Sequence, residues 1–168
     1  MRKVYWFLFF FSGFMQSLPA QDSRLYAFTN YTVKDGLASY NTQSVVQDEQ
    51  GYIWIGTING LQRFDGTRFI TFRHNPADPH ALPDNYIYQL HIDKEQHLWV
   101  LLNNGKIGIF DTRRFVFKEV KIRLKNQRHL TAIRSLLEDS GGNLFYVIPH
   151  EEILTFSQKN NEFAAAYN

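Results

Sequence analysis

VQDEQGYIWIGTINGLQRFDGTRFITF, residues 46–72, decides the fold. Three short runs of mixed β-branched, aromatic and polar residues lie in it: Tyr52 to Thr57, Leu61 to Phe64 and Arg68 to Phe72. That mixture suits a pleated, half-buried surface. Asn59-Gly60 and Asp65-Gly66 divide the runs, and both dipeptides suit turns that need positive φ. A fourth run, Asn41 to Gln47, comes just before, with Asp48-Glu49-Gln50-Gly51 as the turn between. The stretch therefore reads as four antiparallel strands in a meander, with Ile53 and Trp54 on alternate faces.

The unit recurs. Asp48, Asp93 and Asp139 are 45 and then 46 positions apart, and each lies six positions before an aromatic residue: Trp54, Trp99 and Phe145. Gly60 and Gly105 follow the two tryptophans by six positions, and Phe64-Asp65 is echoed by Phe110-Asp111. A repeat of roughly 40–50 residues built from four strands is the signature of a β-propeller blade. The expected fold is all-β: four-stranded antiparallel meanders forming about three blades of an incomplete ring. Blade one covers 41–85, blade two 86–129 and blade three 130–168. Blade three is the worn copy, with Phe145 in the Trp position and Pro149-His150-Glu151-Glu152 in place of the Asn-Gly turn. Propellers close with roughly 4–8 blades, so the chain is expected to be the front of a longer protein.

Outside the blades, two segments carry information. Residues 1–20 combine Met1-Arg2-Lys3, an apolar run from Val4 to Met15 and a small residue, Ala20, before polar Gln21-Asp22-Ser23. That is the pattern of a secretory signal peptide. The run is shorter than the ~20 residues needed to span a bilayer. Residues 21–40 hold Tyr26, Phe28 and Tyr31, then Lys34-Asp35-Gly36-Leu37 as a turn. They are expected to form an outermost strand that closes a ring with blades from elsewhere, since a bare edge strand is a liability.

Composition narrows function further. Aromatic residues make up 16% of the chain, which favours sheet over helix, and cysteine is absent. Disulfide scaffolds, thiolate metal sites and cysteine nucleophiles are thereby excluded. The whole chain carries a net charge of +2. Without residues 1–20 it loses Arg2 and Lys3 and no acid, leaving 16 cations against 16 acids. Such a chain has no general pull on nucleic acid.

Several motifs together resemble a known family. Asp35-Gly36-Leu37, Val46-Gln47-Asp48, the run Gly51 to Thr57, Asn59-Gly60-Leu61, Arg63-Phe64-Asp65-Gly66 and Phe69 resemble the two-component regulator propeller repeat. Blade two keeps Asp93, Leu98-Trp99, Gly105 and Phe110-Asp111, and departs at Val100-Leu101-Leu102. The resemblance implies the periplasmic sensor region of a bacterial hybrid two-component histidine kinase. Such proteins are long: a signal peptide, propeller repeats, a β-sandwich, one transmembrane helix and a kinase. They are linked to sensing breakdown products of complex carbohydrates. No kinase, transmembrane or DNA-binding segment is among these motifs, so any kinase activity would belong to parts outside this chain.

Candidate sites follow from both readings. Asp48, Trp54, Gly60, Asp93, Trp99, Gly105, Asp139 and Phe145 are expected to be structural: aspartates capping turns and aromatics packing between blades. In a meander blade the turn between strands two and three opens on the same face as the connection between blades. Asn59, Asn103 and Asn104 lie on the first, and His74, Asn75, His80 and Asn85 on the second, with Tyr86 beside them. Their amides, imidazoles and phenol suit carbohydrate hydroxyls, and loops on rigid scaffolds commonly bind ligand. Lys121, Arg123 and Lys125, near Arg128, form a cationic strip on one strand face. No catalytic residue, metal site or cofactor is expected, because no nucleophile elbow, carboxylate pair, ligand spacing or phosphate loop is present. Expected partners are an oligosaccharide, further blades, downstream sensor-kinase domains and a second copy of the chain. A dimerisation scaffold and a glycan-active propeller enzyme are the alternatives.

Overall fold

The structure, a computed structural model, describes residues 27–124 and 134–165. The signal peptide expected at 1–20 lies outside them. The chain divides into two units, residues 1–30 and 31–168. Of the first, residues 27–30 are described and have no regular secondary structure.

Among the described residues the second unit has twelve strands in three meanders. Blade one consists of β1 (Thr42–Gln47), β2 (Ile53–Thr57), β3 (Gly60–Phe64) and β4 (Phe69–Phe72), hydrogen-bonded in that order. Blade two consists of β5 (Ile87–Ile92), β6 (Leu98–Leu102), β7 (Ile107–Asp111) and β8 (Val116–Ile122). Blade three consists of β9 (Ser135–Glu138), β10 (Leu144–Ile148), β11 (Glu152–Ser157) and β12 (Glu162–Ala165). All pairings within a blade are antiparallel. The all-β propeller reading is therefore correct.

Burial follows from stacking. One core, with Trp54, Leu61, Ile87, Leu90, Leu98 and Phe110, lies between blades one and two. A second, with Trp99, Ile107, Leu136, Leu144, Tyr146 and Phe163, lies between blades two and three. Blade two is covered on both sides, so every residue of β6 is buried. Among the described residues blade three is covered on one side, and β10 alternates buried and half-buried positions as a two-faced strand must. Gly56 lets the first two blades approach each other. A Cβ there would lie 2.7 Å from Ile87 Cγ2.

The inner strands are stitched together by a device repeated with the blades. β1 shifts register between Thr42 and Ser44, and β5 shifts between Ile87 and Gln89. Such a bulge re-aims a side chain. Ser44 Oγ accepts from the Leu90 amide at 3.0 Å. One repeat later, Gln89 Oε1 accepts from the Leu136 amide at 2.9 Å, and Gln89 Nε2 donates to the Leu136 carbonyl at 2.8 Å.

Three expectations need correction. No residue from 27 to 41 is in a strand; residues 21–26 lie outside the described ones. An outermost strand needs an edge to pair with, and residues 31–40 instead lie on blade one itself. Val33–Asp35 is a single 3-10 turn with a reciprocal Thr32–Asp35 cap. Tyr31 packs edge-on against Phe64 and Phe69. The fully buried Gln62 accepts from the Ala38 amide and donates to the Gly36 carbonyl. Second, blades two and three are not separate sheets. β8 and β12 pair in parallel at Glu162–Lys121 and Phe163–Ile122, because β8 runs long enough to meet the neighbouring outer strand. Third, Glu152 begins β11 and is not part of the turn. His150 alone takes the positive φ, at 62°, where blades one and two use glycine.

Candidate functional site

The aspartate and aromatic repeat positions are joined by one bond that their six-residue spacing does not reveal. Asp48 Oδ1 accepts from the Tyr52 amide at 2.9 Å and closes the β1–β2 turn. Its Oδ2 accepts from Trp54 Nε1 at 2.7 Å. Asp93 repeats both bonds, at 2.8 Å with the His97 amide and 2.7 Å with Trp99 Nε1. Each indole is fully buried, and its one polar atom is satisfied inside its own blade. In blade three, Asp139 caps the Asn143 amide at 2.9 Å, but its Oδ2 takes the Asn143 side chain at 2.8 Å. Phe145 is half-buried.

The antiparallel order puts the β2–β3, β6–β7 and β10–β11 turns and the connections between blades on one face. The remaining turns lie on the other. On the first face the main chain brings most of the expected ligand residues together. The Gly60 amide donates to the Asn85 carbonyl at 2.8 Å, and the His74 amide to Asn85 Oδ1 at 2.8 Å. The Asn103 amide donates to the Tyr86 carbonyl at 3.0 Å. Asn59, His74, Asn85, Tyr86, Asn103 and, next in chain, Asn104 are thereby joined.

Several of their side chains already serve the backbone. Asn59 Nδ2 donates to the Ala38 carbonyl at 3.1 Å. Asn75 Oδ1 accepts from the Ala77 amide and Asn104 Oδ1 from the Lys106 amide. His74 Nδ1 lies 2.9 Å from the Leu82 carbonyl. His80 is carried away from this group: its carbonyl accepts from the Phe117 amide of β8 at 2.8 Å. The cause is Leu82, which is buried in the core between blades one and two and draws the middle of the connection inward.

The cationic strip is partly committed. Lys121 and Arg123 are exposed, as alternation requires, but Arg123 pairs with Glu162 at 3.0 Å. Lys125 and Arg128 lie outside the described residues.

The second face carries two clefts that sequence reading did not anticipate. One, of about 450 Å³, lies between blades one and two and is lined by Asp48, Glu49, Glu95, His97, Asp111 and Arg113. Its neighbour, of about 400 Å³, lies between blades two and three and is lined by Lys94, His97, Glu138, Asn143, Gln158 and Asn161. His91 and Glu138 join blades two and three at 2.8 Å. Asp111 is held below the usual carboxylate range, first by the Arg114 amide; Asp65 likewise by the Arg68 and Thr67 amides. Among the described residues no group of three or more acidic or imidazole side chains is arranged to hold a metal ion. No helix among them is long and apolar enough to cross a membrane.

Comparison with known proteins agrees with this construction. Residues 36–59 match the family model described as two component regulator propeller. Residues 36–59 are therefore similar to one copy of that propeller repeat. A 68-residue segment is 41% identical to histidine kinase P4 of Formosa agariphila, covering 40% of this chain and 5% of that protein. The repeats superpose with a TM-score of 0.68 on an extracellular domain assigned to the hybrid two component system BT3049 of B. thetaiotaomicron. Identity there is 20%, over 83% of this chain and 20% of the other. A second such domain, of BT4673 from B. thetaiotaomicron, gives 0.61 at 25% identity over 76% of this chain and 18% of the other. The chain thus spans 5% of the curated relative and about a fifth of the solved structures it matches.

Proposed function

We propose that this chain is the N-terminal part of the extracytoplasmic sensor propeller of a two-component receptor. It recognises an oligosaccharide and relays the signal to a histidine kinase encoded beyond Asn168. The observation that carries this reading is the joint one: blades built on the regulator-propeller repeat, in a segment similar to part of a histidine kinase. Residues 1–20 serve as its secretion signal, which places the blades on the periplasmic side. Catalysis is not assigned to it; the kinase step belongs downstream. Residues 31–40 brace blade one through Tyr31 on Phe64 and Phe69 and through the Gln62 bonds to Gly36 and Ala38.

The ligand surface in this reading is the face holding Asn59, His74, Asn75, Asn85, Tyr86, Asn103 and Asn104. The observation favouring it is the set of bonds that holds these residues on one rigid edge. His80 stands apart from them and contributes least.

Two experiments test the proposal. The reading frame downstream of Asn168 is expected to encode more blades, a transmembrane helix and a kinase; a hydrolase there would overturn it. In the full-length parent, Asn85→Ala with Asn103→Ala is expected to weaken oligosaccharide binding in calorimetry. Unchanged affinity would remove this face as the ligand surface.

A further inference from the structure

Arg134, the residue before β9, is 5% exposed. Its Nε has no hydrogen-bond partner, and no ion pair reaches its guanidinium among the described residues. Arg63 also has a buried, unpartnered Nε, but its guanidinium lies over the rings of Tyr52 and Phe115, at 4.3 and 5.2 Å. Arg134 has no such cover among the described residues. A buried cation without a counter-ion is costly, and one retained in a fold calls for an anion.

The surroundings are built to hold the group in place. Gly105, in the β6–β7 turn, leaves room for it: a Cβ there would lie 1.5 Å from Arg134 Nη1. The Tyr146 hydroxyl donates to the Gly105 carbonyl at 2.9 Å and fixes the turn from the other side. Burial pushes the Tyr146 phenol up to about 12, so it stays neutral and supplies no negative charge. A cavity of about 420 Å³ opens here, lined among others by Asn104, Lys106, Glu119, Leu124, Arg134 and Tyr146. Lys106 and Glu119 pair with each other at 2.9 Å, which leaves Arg134 as the uncompensated charge. The preceding sequence, residues 125–133, contains no aspartate or glutamate. The volume falls within the range of small-molecule sites, roughly 300–1,000 Å³. Val120, Ile122 and Leu124 give it an apolar wall.

We propose that this cavity binds an oxyanion, a carboxylate or sulfate carried on a small hydroxylated molecule, with Arg134 as the counter-ion. The planar guanidinium suits such groups through paired N–H donors. The inference rests on the sensor reading for the sugar-like body of the ligand, and stands without it for the oxyanion.

The test is calorimetry on the full chain with three probes: methyl glucuronide, inorganic sulfate and the neutral methyl glucoside. The glucuronide is expected to bind more tightly than the glucoside. Arg134→Met is expected to weaken the glucuronide roughly ten- to hundredfold, as loss of a charged hydrogen bond implies. Near-UV dichroism of the buried tryptophans reports whether that variant folds. Should it not fold, Arg134→Lys keeps the charge, loses the paired donors and is expected to bind at intermediate strength. Binding of sulfate as well as glucuronide identifies the oxyanion itself as the determinant; binding of glucuronide alone identifies a carboxylate on a sugar. The proposal is overturned if neither anion binds the parent chain, if glucoside binds as tightly as glucuronide, or if a folded Arg134 variant retains full affinity. Failure of the sensor reading would look different: the anion site would persist while kinase output in the full-length parent ignored its occupancy.

Discussion

Blades one and two differ from blade three at the same two positions, and the difference shows what the repeat is for. In the first two, one aspartate oxygen closes a turn and the other holds the indole of a fully buried tryptophan. The tryptophan then faces the next blade: Trp54 belongs to the core shared with blade two, Trp99 to the core shared with blade three. Turn and interface are thereby coupled through one side chain. In blade three the aspartate keeps its turn but spends its second oxygen on Asn143, and the aromatic is a half-buried phenylalanine. The turn survives without the indole bond. Asp therefore closes the turn in all three blades, and in the first two it also holds the indole that packs on the next blade.

The largest way to break this comparison is Trp99→Ala. The cavity, together with the lost indole bond to Asp93, is expected to cost about 3–5 kcal/mol. Phe145→Ala should cost well under half of that, because its site is only partly covered. Urea unfolding of the two variants measures the gap, and equal losses would mean the coupling has no energetic content. Removing the other half of the pair comes next. Asp93→Ala leaves the indole N–H and a turn amide unpaired inside the fold, an expected loss of about 1–3 kcal/mol. Asp139→Ala, on an exposed turn, should lose less.

How much of this was legible beforehand depends on how far apart the partners are. Strands, turns and the Asp-to-aromatic spacing are local patterns, and the period of 45–46 residues carried the fold. The indole bond was hidden because a six-residue spacing across a turn gives no direction for a side chain. Residues 31–40 were misread because Gln62 holds them from 24 and 26 positions away. Glutamine in the middle of a strand, in Leu61-Gln62-Arg63-Phe64, was the available signal. The connection at 74–85 carries three prolines, and Leu82, placed between two of them, gave no period to show that it reaches the core. Arg134 lay in a short apolar stretch where a single charge suggests solvent, and only the packing against Gly105 reveals its burial.

The stitching of inner strands gives a smaller effect. Gln89→Ala removes two bonds to the Leu136 main chain, at an expected cost of about 1–2 kcal/mol. Ser44→Ala removes the matching contact to Leu90 and should cost less, since a single hydroxyl at 3.0 and 3.4 Å does that work. Hydrogen exchange at Leu136 and Leu90 separates the two. Faster exchange at Leu136 alone is the signature expected of Gln89→Ala, and no change there would make the contact incidental.

Acid reads the turns collectively. Asp35, Asp65, Asp111 and Asp139 are all held below the usual carboxylate range, in each case with a hydrogen bond to the carboxylate as the largest cause: Thr32 for Asp35, the Arg68 amide for Asp65, the Arg114 amide for Asp111 and Asn143 for Asp139. A depressed carboxylate stabilises the fold above its unfolded value, and that contribution is lost as pH falls through the folded value. Stability should therefore be flat from neutral pH down to about 4 and fall below it. Asp139→Asn should reduce that acid slope without changing the neutral plateau by much, since the amide oxygen still accepts in the turn. Denaturant titrations between neutral pH and strong acid check both features.

The smallest effect is the most discriminating. Asp93 Oδ2 takes both His97 Nδ1 and the Trp99 indole. If Asp139, whose partner four residues on is an amide, can hold an indole only once Asn143 releases it, Phe145→Trp alone should change stability by no more than about 0.5 kcal/mol. Asp139 Oδ2 is already occupied by Asn143, and the ring site is half open. Adding Asn143→Gly frees that oxygen, as well as removing the amide that held it. The pair should then be coupled, with the double variant more stable than the sum of its singles by about 0.5–1 kcal/mol, the usual scale for neighbouring residues. Indole N–H exchange at position 145 would slow in the double variant and not in the single. An additive pair would mean that the indole bond follows from the neighbouring blade's packing. In that case the aspartate does not recruit the tryptophan; the next blade holds it in place, and Phe145 marks a position whose side chain is set by what covers it.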